Sequence, residues 1–292
     1  GFLKTTQQMQ QNADLRQRFS VSEPDTELGQ LALQTNRFLD TNERLFTGMQ
    51  ASLDNVAHDL RTPLARQRLR VDQLLMKPQI QQDNDTFDTL AQISEESERI
   101  EKMLTTLMDI SQAESGTLPL KKEPLDLNTL MQQAVEVYSF VAEDKNCTLE
   151  LNISGHCRIE ADEMRLRQVL LNLLDNALKY SPDNSSVCLS ATRQGDEIVI
   201  TVTDQGAGIP AEDLPYIYDR LFRGDKSRSS QGLGLGLSLV KAVVEAHQGN
   251  ILVTSTTGDN PGTCFTIHIP AQSGYIPTQN DYIPTKSGYP TD

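Results

Sequence analysis

Apolar residues recur at helical spacing over the N-terminal third of the chain and at strand spacing over much of the remainder. After a polar connector, "DLRQRFSVSEPDTELG", Leu28, Leu31, Leu39 and Phe46 are spaced for one buried helical face. From Ala51 the pattern runs on through Leu53, Val56, Leu60, Leu64, Val71 and Leu74, a stripe expected to be buried. It ends near Pro78, whose ring removes a backbone donor. A polar loop, "KPQIQQDND", leads to a second helix in which Leu90, Ile93, Ser97, Ile100, Leu104, Leu107 and Ser111 step by three and four. Two long helices joined by a short loop make a hairpin. Its continuous seam stays largely wet in one copy, so two hairpins are predicted to close a four-helix bundle in a homodimer.

The stretch "AESGTLPLKKEP" combines glycine, two prolines and charge, which marks a hinge. Beyond it, strand-like runs at 147–153, 187–193, 197–203, 250–256 and 263–269 alternate with helices at about 126–144, 162–180 and 234–247. That order predicts an α/β sandwich with helices on one sheet face. The expected divisions are 1–50, a helical bundle domain at 51–116, an α/β domain at 117–270 and a tail at 271–292. The tail, "AQSGYIPTQNDYIPTKSGYPTD", repeats Tyr-Ile-Pro-Thr and is rich in proline, which predicts an extended, disordered segment. It fits a tyrosine-based docking or modification motif and equally an inert tail.

Composition narrows the function classes. With 292 residues and 37% hydrophobic content the chain furnishes two cores, and a formal net charge of −14 disfavours a partner held by its phosphates, so no nucleic acid is expected. Cys147, Cys157, Cys188 and Cys264 match no paired metal-ligand spacing and are read as reduced thiols. No run of about 18 apolar residues and no signal peptide occurs. The chain starts Gly1-Phe2-Leu3 without methionine, which fits a soluble fragment cut from a membrane-spanning part.

Candidate chemistry begins at His58 in "NVAHDLRTPLARQRL", expected to face outward from the apolar stripe. A lone helical surface histidine also fits a solvated residue, but its neighbours change the picture. Asp59 is placed to orient the ring or take its proton during nucleophilic attack on phosphorus. Thr62 lies at i+4 on the same face. Pro63 removes the amide that would bond the Asp59 carbonyl, so a bend after the nucleophile is predicted; an ordinary tolerated proline is the alternative.

In "DEMRLRQVLLNLLDNALKYS" the residues Leu166, Val169, Leu170, Leu173 and Ala177 fill one helix face, while Asn172, Asn176, Lys179 and Tyr180 lie on another. Stacked carboxamides suit Mg²⁺, which takes few protein oxygens plus phosphate oxygens; a plain solvated face is the alternative. In "EIVITVTDQGAGIP" a strand ends at Asp204, which can accept from an adenine amino group, and Gly206 and Gly208 allow close backbone approach. A Gly-x-Gly pair alone also fits a turn. In "QGLGLGLSLV" the glycines Gly232, Gly234 and Gly236 run into a helix whose first amides can hold a triphosphate. Between these motifs, "LPYIYDRLFRGDKSRSSQ" reads as a lid. Arg223, Lys226 and Arg228 are its candidate phosphate contacts and Phe222 its packing latch.

Taken in order, "AHDLRTP", "NLLDNALKYS", "DQGAGIP", "LFRG" and "GLGLGLSLV" resemble the H, N, first glycine, F and second glycine boxes of bacterial two-component histidine kinases over about residues 51–270. Residues 9–50 resemble part of a HAMP signal-relay module. The resemblance implies a dimeric four-helix bundle followed by an ATP-binding α/β sandwich of the histidine kinase/topoisomerase type. His58 is then the phospho-acceptor, Asp59 its acid/base neighbour, and Thr62 the residue that positions water when a partner is dephosphorylated. It also implies Mg²⁺ on Asn176 with Asn172 nearby, nucleotide contacts from Lys179 and Tyr180, and adenine read by Asp204. Many family members carry Glu at the position of Asp59. The implied partners are a second copy and the receiver domain of a response regulator. The implied location is the cytoplasmic face of the bacterial inner membrane, reached through an N-terminal part outside this chain. An ATPase motor or chaperone of the same nucleotide fold, and a non-catalytic scaffold, are the competing readings; the H box opposes the first and the intact nucleotide motifs the second.

Overall fold

The computed structural model describes residues 18–19, 21, 26–155, 157–224 and 233–271, without the side chains at 46, 47, 49–51, 53, 54 and 58. The chain divides into two compact units, Gly1–Ser111 and Gln112–Asp292. The expectations for Phe46, Leu53 and the tail fall outside the described side chains or residues.

In the first unit, α1 (Glu27–Leu75) is one helix of 49 residues, followed by the short α2 (Pro78–Gln81) and by α3 (Asn84–Glu114). The two stretches expected on either side of Ala51 are continuous. Only Gly48 weakens the join, at about 1 kcal/mol relative to alanine, and Pro63 lies inside the helix without ending it. Thr26 caps α1 by accepting from the Gly29 amide at 3.1 Å. The Asn36 carboxamide accepts from the Phe19 amide at 2.9 Å and donates to its carbonyl at 3.0 Å. Arg18 meets Asp40 at 2.8 Å and also Glu43. The end of the polar connector is thereby laid on α1.

Helices α1 and α3 run antiparallel. Arg61 donates to Thr105 at 3.3 Å, Arg68 meets Glu98 at 3.1 Å, and Ser94 donates to Asp72 at 2.7 Å, so partners climb one helix as they descend the other. Ala57, Val71, Ser97, Ile110 and Ser111 are buried. Of the expected stripe, Val56 and Leu60 are 52% and 45% exposed in the single chain, as for a seam that one copy leaves wet. Two helices cover one seam between them, and residues flanking that seam, with Ile93 and Ile100 on α3, remain at the surface.

The second unit holds β1 (Glu123–Asp126), α4 (Leu127–Asp144), β2 (Thr148–Ser154), β3 (Arg158–Ala161), α5 (Glu163–Tyr180), β4 (Ser186–Gln194), β5 (Glu197–Asp204), α6 (Gly236–Ala246), β6 (Asn250–Thr256) and β7 (Gly262–Pro270). Five strands form one sheet in the order β2-β4-β5-β7-β6, parallel only at β2-β4, while β1 and β3 form an antiparallel pair. Strand periodicity turns Val187, Leu189 and Ala191 of β4 inward. The core is completed by Leu166, Leu170 and Leu173 of α5 and Val240, Val243 and Val244 of α6. Helix α5 packs between α4 and α6, as expected for helices layered on a sheet. The four cysteines are free thiols.

One buried polar tie joins the helix layer. His247, 3% exposed, follows α6; its Nδ1 donates to the Val243 carbonyl at 2.8 Å and its Nε2 accepts from the Asp162 amide at 3.0 Å. This bonding selects the Nδ1–H tautomer. Asp162 in turn caps α5 by accepting from Arg165 at 3.1 Å, and accepts from the Lys121 amide at 2.8 Å. Burial holds the His247 pKa below its ordinary 6.5, reinforced by Lys122 and opposed by the Val243 bond and Asp162. Above pH 6.5 both folded and unfolded states are neutral at this residue; as pH falls below it the unfolded chain takes the proton first, so stability is lost. His247→Ala is expected to lower unfolding free energy by about 2–4 kcal/mol, from the orphaned Asp162 amide and the cavity. It should also flatten the loss on acidification; urea titrations at pH 7.5 and below 6.5 check both.

Candidate active site

The site is built where β5 ends. This strand is central, paired to β4 and β7, and carries its last residue, Asp204, into the interior, where it is 8% exposed. Its Oδ1 accepts from the Gly206 amide at 2.8 Å and from the Thr263 amide at 3.2 Å. Burial pushes the carboxyl above the usual carboxylate range, against the downward pull of those two amides. Oδ2 carries none of the described hydrogen bonds, so an incoming N–H would meet a desolvated acceptor.

The first glycine loop is forced onto this carboxylate. A Cβ at Gly206 would lie 2.7 Å from Asp204 Oδ1 and 2.8 Å from the Tyr180 carbonyl, so the loop abuts the end of α5. At Gly208, φ is +73° and a Cβ would come within 1.9 Å of the Thr256 carbonyl. Both positions require glycine, one for close approach and one for conformation as well. Ile209 then donates to Ser255 at 2.8 Å, fastening the loop to β6.

Helix α5 supplies the second wall. The Asn172 Nδ2 donates back to the Gln168 carbonyl at 2.8 Å, and its Oδ1 would lie 3.0 Å from a Cβ at Gly236. The carboxamide therefore sits against the start of α6. Asn176 is half-buried one turn on, and the Lys179 ammonium lies 5.5 Å from the ring centroid of Tyr180, itself 45% exposed. Among the described residues no side chain caps the start of α6, which leaves its first amides to an anion. The two ends of the lid segment also meet, as Leu221 donates to the Gly234 carbonyl at 2.9 Å while Gly234 has φ of +67°. Phe222 packs on Tyr216 with centroids 6.0 Å apart, and Arg223 is half-buried and engaged.

Asn172, Gly206, Gly208, Gly234, Gly236, Asp204 and Phe222 thus converge through α5, the two glycine loops and the lid base. Gly232, Lys226 and Arg228 lie outside the described residues. In the first unit, Asp59 and Thr62 are exposed on α1, as is Pro63; the backbone of His58 is helical and its side chain is not described. Among the described residues there is no group of three or more His, Cys, Asp or Glu fit to cage a metal. The polar oxygens present are carboxamides beside an uncapped helix start, which suits a cation held mainly by phosphate oxygens. Sequence reasoning missed the His247–Asp162 tie, and it missed Arg220, which pairs with Glu114 at 2.5 Å.

Comparison with known proteins bears on this arrangement. Residues 49–116 match the family described as His Kinase A (phospho-acceptor) domain, and residues 161–273 match Histidine kinase-, DNA gyrase B-, and HSP90-like ATPase. Sensor histidine kinase CusS of Escherichia coli is 32% identical over 260 residues, covering 88% of this chain and 53% of the relative. Sensor-like histidine kinase SenX3 of Mycobacterium tuberculosis is 34% identical over 220 residues, covering 74% of this chain and 52% of the relative. The chain therefore spans about half the length of these curated relatives. Among solved structures, full-length ShkA in complex with AMPPNP shares the fold, with a TM-score of 0.65 at 23% identity over 78% of this chain and 47% of that one. The Acinetobacter baumannii histidine kinase AdeS gives 0.53 at 25% identity, covering 74% of this chain and 98% of that one. With a phospho-acceptor domain and an ATPase domain in this order on one chain, and relatives aligned across both, the protein belongs to the sensor histidine kinases of two-component systems.

Proposed function

We propose that the chain phosphorylates its own His58 from ATP, passes the phosphoryl group to an aspartate of a response-regulator receiver domain, and removes it from that regulator. The observation that carries this reading is the convergence of Asp204, the glycine loops and the uncapped start of α6 in an ATPase domain that lies C-terminal to a His-Asp-x-x-Thr-Pro helix. A nitrogen of the His58 imidazole attacks the γ-phosphorus, the bond to the β,γ-bridging oxygen breaks, and ADP leaves. Asp59 takes or orients the ring proton. Such a reaction has a loose transition state, so the protein contributes mainly position and charge neutralisation. Asp204 receives the adenine amino group, while Lys179, Tyr180, Phe222, Arg223 and the second glycine loop line the nucleotide. Mg²⁺ would be held by the Asn176 carboxamide, with Asn172 nearby, and would neutralise phosphate charge. The hinge at 114–124 lets the ATPase domain approach His58.

Two copies are proposed to pair through the hairpins, because Val56, Leu60, Ile93 and Ile100 stay at the surface of one chain. Each such side chain is worth about 1.5–3 kcal/mol when fully covered. Residues before α1 are read as the end of a HAMP relay, from the connector laid on Asn36. Among the described residues no helix is long and apolar enough to cross a membrane. The intact protein is placed at the cytoplasmic face of the inner membrane through a part outside this chain.

Incubation with γ-labelled ATP and Mg²⁺ should yield an acid-labile, alkali-stable label that disappears in His58→Ala. In the same assay Thr62→Ala should keep the label and its transfer to a receiver domain but lose regulator dephosphorylation. Label persisting in His58→Ala, or normal dephosphorylation by Thr62→Ala, contradicts these roles. Sedimentation at micromolar concentration should give a dimer that Leu60→Asp with Ile100→Asp converts to monomer; a monomeric wild type contradicts the pairing.

A further inference from the structure

Helix α4 ends in a closed turn. Asn146 has φ of +50° and the Cys147 amide donates back to the Ala142 carbonyl at 2.8 Å, which sets Lys145 on a fixed corner of the chain. From that corner the half-buried Lys145 side chain reaches the C-terminal end of α5. Its ammonium donates to the Leu178 carbonyl at 2.6 Å and to the Ser181 carbonyl at 2.9 Å. Backbone bonds run alongside, from the Asn184 amide to the Lys145 carbonyl at 3.1 Å and from the Thr148 amide to the Ser185 carbonyl at 2.8 Å. The corner after α4 is thus laced to the end of α5, with one cation bridging two of its carbonyls.

The last turn of α5 needs such a partner. The final carbonyls of a helix have no intrahelical donor, and together they form the negative end of the helix dipole. Ser181, which follows the helix, is 4% exposed, so water has little access to this end. Its own hydroxyl is buried with no partner among the described residues, so the serine side chain does not fix the turn and the ammonium does. What hangs on this turn is one wall of the candidate nucleotide site. Asn176 directly precedes it, and Lys179 and Tyr180 lie within it. The Tyr180 carbonyl is the surface that Gly206 abuts, where a Cβ would come within 2.8 Å, and the Gly206 amide donates to Asp204 at 2.8 Å.

We propose that Lys145 is a positioning residue for base recognition: its ammonium holds the last turn of α5, and with it the seat of the first glycine loop, where Asp204 keeps its register with the base. It acts through backbone carbonyls and not on the nucleotide. The proposal rests on the reading that Asp204 receives the adenine amino group. In the test, the full chain is titrated with ATP and with inosine triphosphate, whose ring lacks that amino group, as wild type, Lys145→Met and Lys145→Arg. Loss of a charged donor from two carbonyls should narrow the preference for ATP roughly fivefold or more in Lys145→Met. Lys145→Arg, which keeps a charged donor for both carbonyls, should return most of it. A merely structural cap would weaken both nucleotides in proportion, so an unchanged ratio in Lys145→Met, or no recovery with arginine, overturns the proposal. Should Lys145→Met fail to fold, Lys145→Gln, which keeps a donor without the charge, is titrated in its place and read in the same way. Hydrogen exchange at the Gly206 amide reads the same tie without nucleotide: faster in Lys145→Met and near wild type in Lys145→Arg, with equal exchange in all three proteins overturning it. A wild type with no preference between the two nucleotides would count against the adenine reading alone, and the exchange result would still decide whether Lys145 positions the loop.

Discussion

A carboxylate taken out of water at the end of the central strand sets the terms for the rest of the nucleotide domain. Asp204 is held there by two amides on one oxygen, and those amides belong to Gly206 and to Thr263 on the neighbouring strand. Burying an ionised group without partners costs several kcal/mol, so the loop that supplies the Gly206 amide has little freedom. It is pressed between the Tyr180 carbonyl and the Thr256 carbonyl, where only glycine fits. The first glycine loop and the start of β7 are therefore tied to a single charged group. The other oxygen of that group carries none of the described hydrogen bonds.

At the other end of α5, His247 performs a related task with a neutral ring. It fixes the amide of Asp162, and Asp162 caps the helix that carries Asn172 and Asn176. The N-terminal end of α5 is thus tied to α6 through the buried His247 bond, while its apolar face supplies adhesion without direction. This division matters for chemistry that depends on placement. The Asn172 carboxamide is held against the start of α6, a register that hydrophobic packing alone leaves free to slip.

Much of the fold was legible because hydrophobic periodicity is a local signal. The five strands of the main sheet and the three helices covering it fall within a residue or two of their expected limits. The β1–β3 pair was missed: Glu-Pro-Leu-Asp and Arg-Ile-Glu-Ala are four residues each, half of them charged, and paired across more than thirty positions. The helical pattern expected to run on from Ala51 is continuous with the stretch before it, since Gly48 is too weak a breaker to interrupt 49 residues. Val56 and Leu60 were expected inside, and periodicity does state that a face is apolar. What covers that face is not a property of one chain.

The site divides along the same line. Glycines, asparagines and the strand-end aspartate announced themselves by type and spacing, and the structure brings those of the second unit together. His247 carries no spacing signal, since a lone histidine after a helix reads as surface. Arg220 and Glu114 are joined only by the fold.

The central claim, that the open oxygen of Asp204 receives an exocyclic amino group, is tested most directly by titrating the chain with ATP and with inosine triphosphate, which carries a carbonyl in place of that amino group. A hydrogen bond to a buried charge predicts that ATP binds about 10–100 times more tightly. Equal affinity for the two nucleotides would contradict the account.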